Sequence, residues 1–151
     1  HRLSSNNKCA FIFPKESINP EVVLQLQAEN VKIISSDNIE SLLEAIAGCS
    51  LFISNDSGPL QIAALLGKPT FTIYGPTNPD FHLPYGNFHR HKRKILSCSP
   101  LNEKYSFADG GDSCPHNDCL ELLGVDEVYD NVNQLIHELK YSFSIPGENE
   151  K

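Results

Sequence analysis

The sequence predicts an α/β fold, an open parallel sheet with flanking helices. Two observations predict it. Over the first two thirds of the chain, short apolar runs alternate with amphipathic stretches, the signature of βα units. Some of those runs, Leu51-Phe52-Ile53 above all, are continuously apolar, as expected of strands covered on both faces.

In chain order, Cys9-Ala10-Phe11-Ile12-Phe13 reads as a buried strand stopped by Pro14. Asn19-Pro20 supplies an N-cap and a proline at the first helical position, opening a helix to about Glu29. Val31-Lys32-Ile33-Ile34 is the next strand. Asp37, with Glu40 three residues on, resembles a capping box. Ile39, Leu42, Leu43 and Ile46 then fall at i, i+3, i+4 and i+7 of a helix ended by Gly48. After the strand at 51–53, residues 59–66 form a helix closed by Gly67, and Thr70-Phe71-Thr72-Ile73-Tyr74 is a strand ended by Gly75-Pro76. The four strands between residues 9 and 74 are expected in one parallel sheet. Residues 76–118 are rich in Pro, Gly, Asn and His and read as irregular, with a short strand at Lys94-Ile95-Leu96. Val125, Val128, Val132, Leu135, Ile136 and Leu139 form the apolar stripe of a terminal helix. The domain is expected over 1–143, with 144–151 a frayed tail.

Composition narrows the function. The chain has 151 residues, 40% hydrophobic and 21% charged, which suits one soluble domain. No apolar run approaches the ~20 residues of a membrane-spanning helix. A formal charge of −7 argues against nucleic acid as a partner. Five unevenly spaced cysteines do not make a secreted disulfide scaffold, so a cytoplasmic location is expected. The polar opening and the absence of Met predict a piece of a longer protein.

The stretch Asn55-Asp56-Ser57-Gly58-Pro59-Leu60-Gln61 joins a strand to a helix through a tight polar loop. Such a loop lies at the carboxyl end of its strand, where open α/β sheets bind ligands. Free backbone N–H groups and the helix dipole favour an anion there. Gly58 permits close approach, Pro59 costs no needed donor, and Ser57 can cap the helix or bond a phosphate oxygen. Asp56 repels phosphate, and suits a role accepting bonds from sugar hydroxyls. The plainer reading is that Asp-Ser-Gly-Pro caps a helix, as it can in any protein. A second polar loop, Gly75-Pro76-Thr77-Asn78-Pro79, follows the next strand and is expected on the same rim.

Residues 51–70, running on through Tyr74-Gly75-Pro76-Thr77-Asn78-Pro79, resemble glycosyltransferase family 9, the ADP-heptose:lipopolysaccharide heptosyltransferases. Their pattern is D-[ST]-G-x-x-H-x-A-A-x-x-x-K-P followed by a G-P-T loop. The resemblance implies the C-terminal, donor-binding half of a glycosyltransferase-B architecture, in which two Rossmann-like domains face a cleft. It implies an inverting transferase that uses a nucleotide-diphosphate sugar and no cofactor. The lipopolysaccharide core acceptor and the catalytic carboxylate belong to an N-terminal domain outside this chain, so no catalytic residue is expected here and the chain alone should bind without turnover. Carried over, Asp56, Ser57, Gly58, Gln61, Gly75 and Thr77 contact the donor, Asp37 lies near the nucleoside and Glu16 near the ribose. Gln61 departs from the pattern: it stands where the family has histidine, and an amide donates a hydrogen bond but carries no positive charge. The first strand of the family domain falls before His1. Two alternatives remain, a non-catalytic nucleotide-sugar-binding module and a nucleotide-sugar 2-epimerase.

The sequence lacks the Asp-x-Asp of metal-dependent glycosyltransferases, and the spacing of Cys98, Cys114, His116 and Cys119 matches no standard zinc site, so no metal is expected. Cys9 and Cys49 read as small core residues. The run His89-Arg90-His91-Lys92-Arg93-Lys94 holds four of the twelve Lys and Arg residues. It suits either a contact to an anionic acceptor or the inner membrane face, or a solvated loop or edge strand protected by charge; the second is the simpler reading.

Overall fold

A computed structural model of the chain describes residues 3, 5, 7–14, 19–99 and 117–144. The chain divides into two compact units, His1–Cys49 and Ser50–Lys151. In the first, β1 (Ala10–Pro14) and β2 (Lys32–Ser36) form a parallel pair, from Ala10 opposite Lys32 to Pro14 opposite Ser36. Helix α1 (Pro20–Ala28) joins them and α2 (Ile39–Ala47) follows. The Asn19-Pro20 signal works as expected: the Asn19 side chain accepts the Glu21 N–H at 2.9 Å and proline occupies the first turn. Ile46 of α2 is fully buried.

The cap of α2 corrects the sequence reading. The N-cap is Asn38, not Asp37, and the box partner is Ser41, not Glu40. Ser41 N–H donates to Asn38 Oδ1 at 2.8 Å, and Asn38 N–H reaches Ser41 Oγ at 3.4 Å. Asn and Asp cap about equally well, so backbone phase decided between neighbours that composition does not separate.

The second unit contains β3 (Phe52–Asn55), α3 (Gly58–Leu65), β4 (Thr70–Tyr74), α4 (Pro79–His82), β5 (His89–Arg93), α5 (Asp118–Glu121) and α6 (Val125–Ser144). Its strands lie in the order β3-β4-β5, all parallel. The expected parallel pairing of 51–54 with 70–74 is present: Phe52 faces Thr70 and Asn55 faces Ile73. The α/β class with parallel strands and flanking helices therefore stands. The expectation of one four-stranded ladder does not: the ladders are β1-β2 and β3-β4-β5, because the ladder bonds of β3 run to β4 alone among the described strands.

Strand β4 is the core of this unit. Thr70, Phe71, Thr72 and Tyr74 are all buried, with Leu60 and Ala63 of α3 and Val132, Leu135 and Leu139 of α6. The covered faces of α3 and α6 follow the helical spacing of these residues. Coverage is less complete elsewhere than the sequence suggests: Phe11 of β1 is 41% exposed and Ile53 of β3 39%, each on a strand with one ladder neighbour. Val125 is exposed at the start of α6. Cys9 and Cys49 are half-buried rather than core residues, and Cys98 is exposed, whereas Cys119 is buried. Cys114 and His116 lie outside the described residues, as do 145–151 of the expected tail.

The expected strand at 94–96 is displaced to His89–Arg93, the basic run itself. Period-2 alternation explains how a strand holds so many charges. Arg90 reaches Glu138 at 3.1 Å and Lys92 reaches Glu127 at 2.6 Å, both on α6. On the other face, His89 Nδ1 shares a hydrogen bond with Thr70 Oγ1 at 2.9 Å and the His91 ring meets Tyr74 edge-on at 5.7 Å. β5 ends its sheet, and a charged edge resists pairing with other chains. No helix among the described residues is long and apolar enough to cross a membrane.

The corrected cap is testable. Asn38→Ala should cost about 1 kcal/mol of stability in a denaturant titration, and Asp37→Ala well under half of that. Equal costs would contradict the assignment.

Candidate functional site

Parallel strands in register bring two loops to one rim. β3 ends at Asn55, opposite Ile73, so Asp56-Ser57-Gly58 leaves the sheet beside the Gly75-Pro76-Thr77 loop that follows β4. β5 ends on the same side, with Arg93 opposite Tyr74. This is the carboxyl edge at which open α/β sheets bind ligands.

Ser57 is the N-cap of α3, with extended backbone, yet its side chain makes no capping hydrogen bond. Of the two tasks open to it, capping is not taken. Pro59 lies in the first turn and brings no N–H, while Leu60 N–H closes back on Ser57 O at 3.2 Å. Of this first turn Leu60 is buried and Gly58 is exposed, at a helix start whose leading N–H groups the helix does not satisfy internally. A Cβ added to Gly58 would meet nothing within 4 Å, so the space over this backbone is open.

Asp56 is not the cap. Its carboxylate stands 3.6 Å from His82 Nδ1, with each side chain only 18% exposed. His82 comes from α4, a single turn started by Asn78-Pro79, where Asn78 Oδ1 accepts the Asp80 N–H at 3.2 Å. Gln61 is exposed and donates its Nε2–H to the His82 carbonyl at 2.9 Å. Asp56 and Gln61, five positions apart, and the distant His82 therefore form one local network.

Gly75 has a packing role. A Cβ there would meet Leu120 of α5 at 3.2–3.4 Å, so the glycine admits the leucine over the end of β4. Thr77 is half-buried in the second loop. Asp37 belongs to the first unit, exposed after β2, and accepts a hydrogen bond from Ser35 Oγ at 2.9 Å. Glu16 lies outside the described residues.

Two rim residues escaped the sequence reading, His82 and Arg93. The Asn78-Pro79 pair repeats the helix-start signal of Asn19-Pro20 and could have located the turn that carries His82. Arg93 was merged into a run read as a solvated loop or charged edge strand; its Nη1 lies 3.5 Å from Asn78 Oδ1, which puts a permanent cation at the rim.

Burial shifts titrations here. Tyr74 is fully buried, and its hydroxyl has no hydrogen-bond partner among the described residues. Burial, and secondarily the Asp56 carboxylate, pushes its phenol well above the usual tyrosine range. Burial also lowers His91, helped by Arg93 and opposed by Asp80.

An open parallel sheet whose strands end in polar loops beside an uncapped helix start is the plan on which α/β proteins bind ligands at the carboxyl edge. Residues 5–110 match the model of glycosyltransferase family 9 (heptosyltransferase), and the chain belongs to that family. The lipooligosaccharide heptosyltransferase 2 of Campylobacter jejuni subsp. jejuni serotype O:2 is 30% identical over 122 residues, 77% of this chain and 36% of that protein. The lipopolysaccharide heptosyltransferase 2 of Escherichia coli K12 is 39% identical over 51 residues, 34% of this chain and 14% of that protein. Among solved structures, an E. coli ADP-heptose lipopolysaccharide heptosyltransferase II superposes with a TM-score of 0.65 at 18% identity, over 92% of this chain and 39% of that one. A family 9 glycosyl transferase from Veillonella parvula gives 0.61 at 21% identity, over 89% and 38%. The chain thus spans little more than a third of the Campylobacter relative and of these two structures.

The Tyr74 phenol gives a pH prediction. Folding raises its pKa above the unfolded value of 10.0, so its contribution to stability is complete below about pH 10 and is lost as pH rises beyond it. Stability should fall above about pH 10, and Tyr74→Phe should shallow that fall at little cost near neutrality. Superimposable alkaline limbs would contradict this.

Proposed function

We propose that this chain is the donor-binding domain of a glycosyltransferase of lipopolysaccharide core biosynthesis, taking a nucleotide-diphosphate sugar such as ADP-heptose. The observation that carries the reading is the start of α3: a cap position whose hydroxyl is not used for capping, beside open space over Gly58. A diphosphate fits that place because first-turn N–H groups and the helix dipole favour an anion. The names of the heptosyltransferase relatives supply the sugar and the pathway.

In this proposal the donor-binding domain covers residues 1–143 and is short of its first strand. Acceptor binding and the carboxylate base belong to a domain outside this chain, so the chain alone binds without turnover. The reaction is an inverting displacement at the anomeric carbon. Ser57 and the Ser57 and Gly58 N–H groups hold the departing diphosphate, Asp56 accepts bonds from sugar hydroxyls, and Thr77 faces them from the second loop. Asp37 and Glu16 remain proposed for the nucleoside side. Gln61 acts through its bond to His82, and Gly75 through the packing that shapes the second loop. A contact of the basic run with the membrane gains little support, because Arg90 and Lys92 are engaged by carboxylates of α6.

Calorimetric titration of the chain with ADP and ADP-heptose tests the proposal. Gly58→Val should abolish both affinities with the fold intact. Asp56→Ala should cut the advantage of ADP-heptose over ADP by roughly ten- to a hundredfold, the worth of a charge-assisted hydrogen bond. Unchanged affinities together with a lowered melting temperature would leave Asp56 a structural residue. Absence of nucleotide binding to the unaltered chain would overturn the proposal.

A further inference from the structure

We propose that His82 is a positioning residue that balances the charge of Asp56, and so lets an acidic loop accept a diphosphate. The inference rests on the donor-binding reading above. A carboxylate at the start of a helix competes with any anion that the helix would hold, and Asp56 stands one residue before the cap of α3. The structure places the imidazole of His82 3.6 Å from that carboxylate. Both side chains are largely sheltered, so their interaction is screened less than at an open surface.

The placement of His82 is built rather than incidental. Asn78 is fully buried and caps the turn that carries the histidine, with Pro79 behind it. From the other side, the Gln61 amide of α3 bonds the His82 carbonyl at 2.9 Å. α3 therefore fixes the backbone of the residue whose imidazole faces the carboxylate at its own N-terminus. Gln61 cannot carry charge; through this bond it positions a residue that can. When protonated, the imidazole beside Asp56 cancels the carboxylate's repulsion of phosphate and leaves it lone pairs for sugar hydroxyls.

ADP is the probe, because it carries the diphosphate without the sugar that Asp56 is proposed to hold. His82→Gln removes the imidazole, and with it the positive charge it carries when protonated, and keeps a polar side chain of similar reach. It should weaken ADP about tenfold, a change of about 1.4 kcal/mol, and leave adenosine affinity and the melting temperature nearly unaltered. Adding Asp56→Asn to His82→Gln should restore ADP affinity, since the charge needing balance is then gone. Unchanged ADP affinity in His82→Gln overturns the inference while the donor-binding reading stands. Equal losses for adenosine and ADP, or a double variant as weak as the single one, also overturn it, by showing a structural role or a direct phosphate contact. If the unaltered chain binds neither ADP nor adenosine, the donor-binding reading itself fails and this inference with it.

Discussion

The second unit depends on burying β4 between two parallel neighbours. Four of its five residues are buried, and hydrogen bonds frame it from both sides: Phe52 N–H to Pro69 O at 2.9 Å and Thr70 N–H to Phe88 O at 3.1 Å. A strand so enclosed has one register and one direction. Because both neighbours run parallel to it, β3, β4 and β5 deliver their following loops to the same edge. Everything proposed at the rim, from Ser57 to Arg93, inherits its position from that ladder.

The rim then resolves a conflict between packing and charge. Tyr74 ends the buried strand with its hydroxyl lacking a partner among the described residues, near an acidic side chain that raises its pKa further. Such a group costs stability, of order 1–3 kcal/mol for an unmet buried donor. Three polar groups of the rim are engaged: Asp56 has His82, the His82 carbonyl has Gln61, and Asn78 caps its own turn. Local cost concentrated where loops converge is common at functional edges.

Much of this was legible in the sequence, and the misses have physical causes. Apolar runs, Asn-Pro starts and Gly stops located β1 to β4 and α1 to α3 within a few residues, because these are local signals. Asp56, Ser57 and Gly58 stand out in the sequence as candidates because a strand, a polar loop and a helix start succeed each other within a few positions. The helix cap moved from Asp37 to Asn38 because two adjacent residues cap equally well. The basic run could be read as a loop or as a charged edge strand, and the structure makes it the edge strand β5; its charges hid the choice, since its partners Glu127 and Glu138 lie more than thirty residues on. His82 was missed for the same reason. Its value comes from a contact with Asp56 across twenty-six positions, which no periodicity records. The packing of Leu120 over Gly75 is also non-local, so the sequence offered that glycine only as a strand end and a donor contact.

The most direct test of the central claim is to follow the backbone amides themselves. In a nitrogen-15 heteronuclear NMR titration of the chain with ADP, the Ser57 and Gly58 resonances should move early and saturably, with smaller changes around Thr77. The resonances of α6 should stay in place. Shifts confined to α6, or an unmoved Ser57 and Gly58 at saturating ADP, would contradict the claim that this helix start holds the diphosphate.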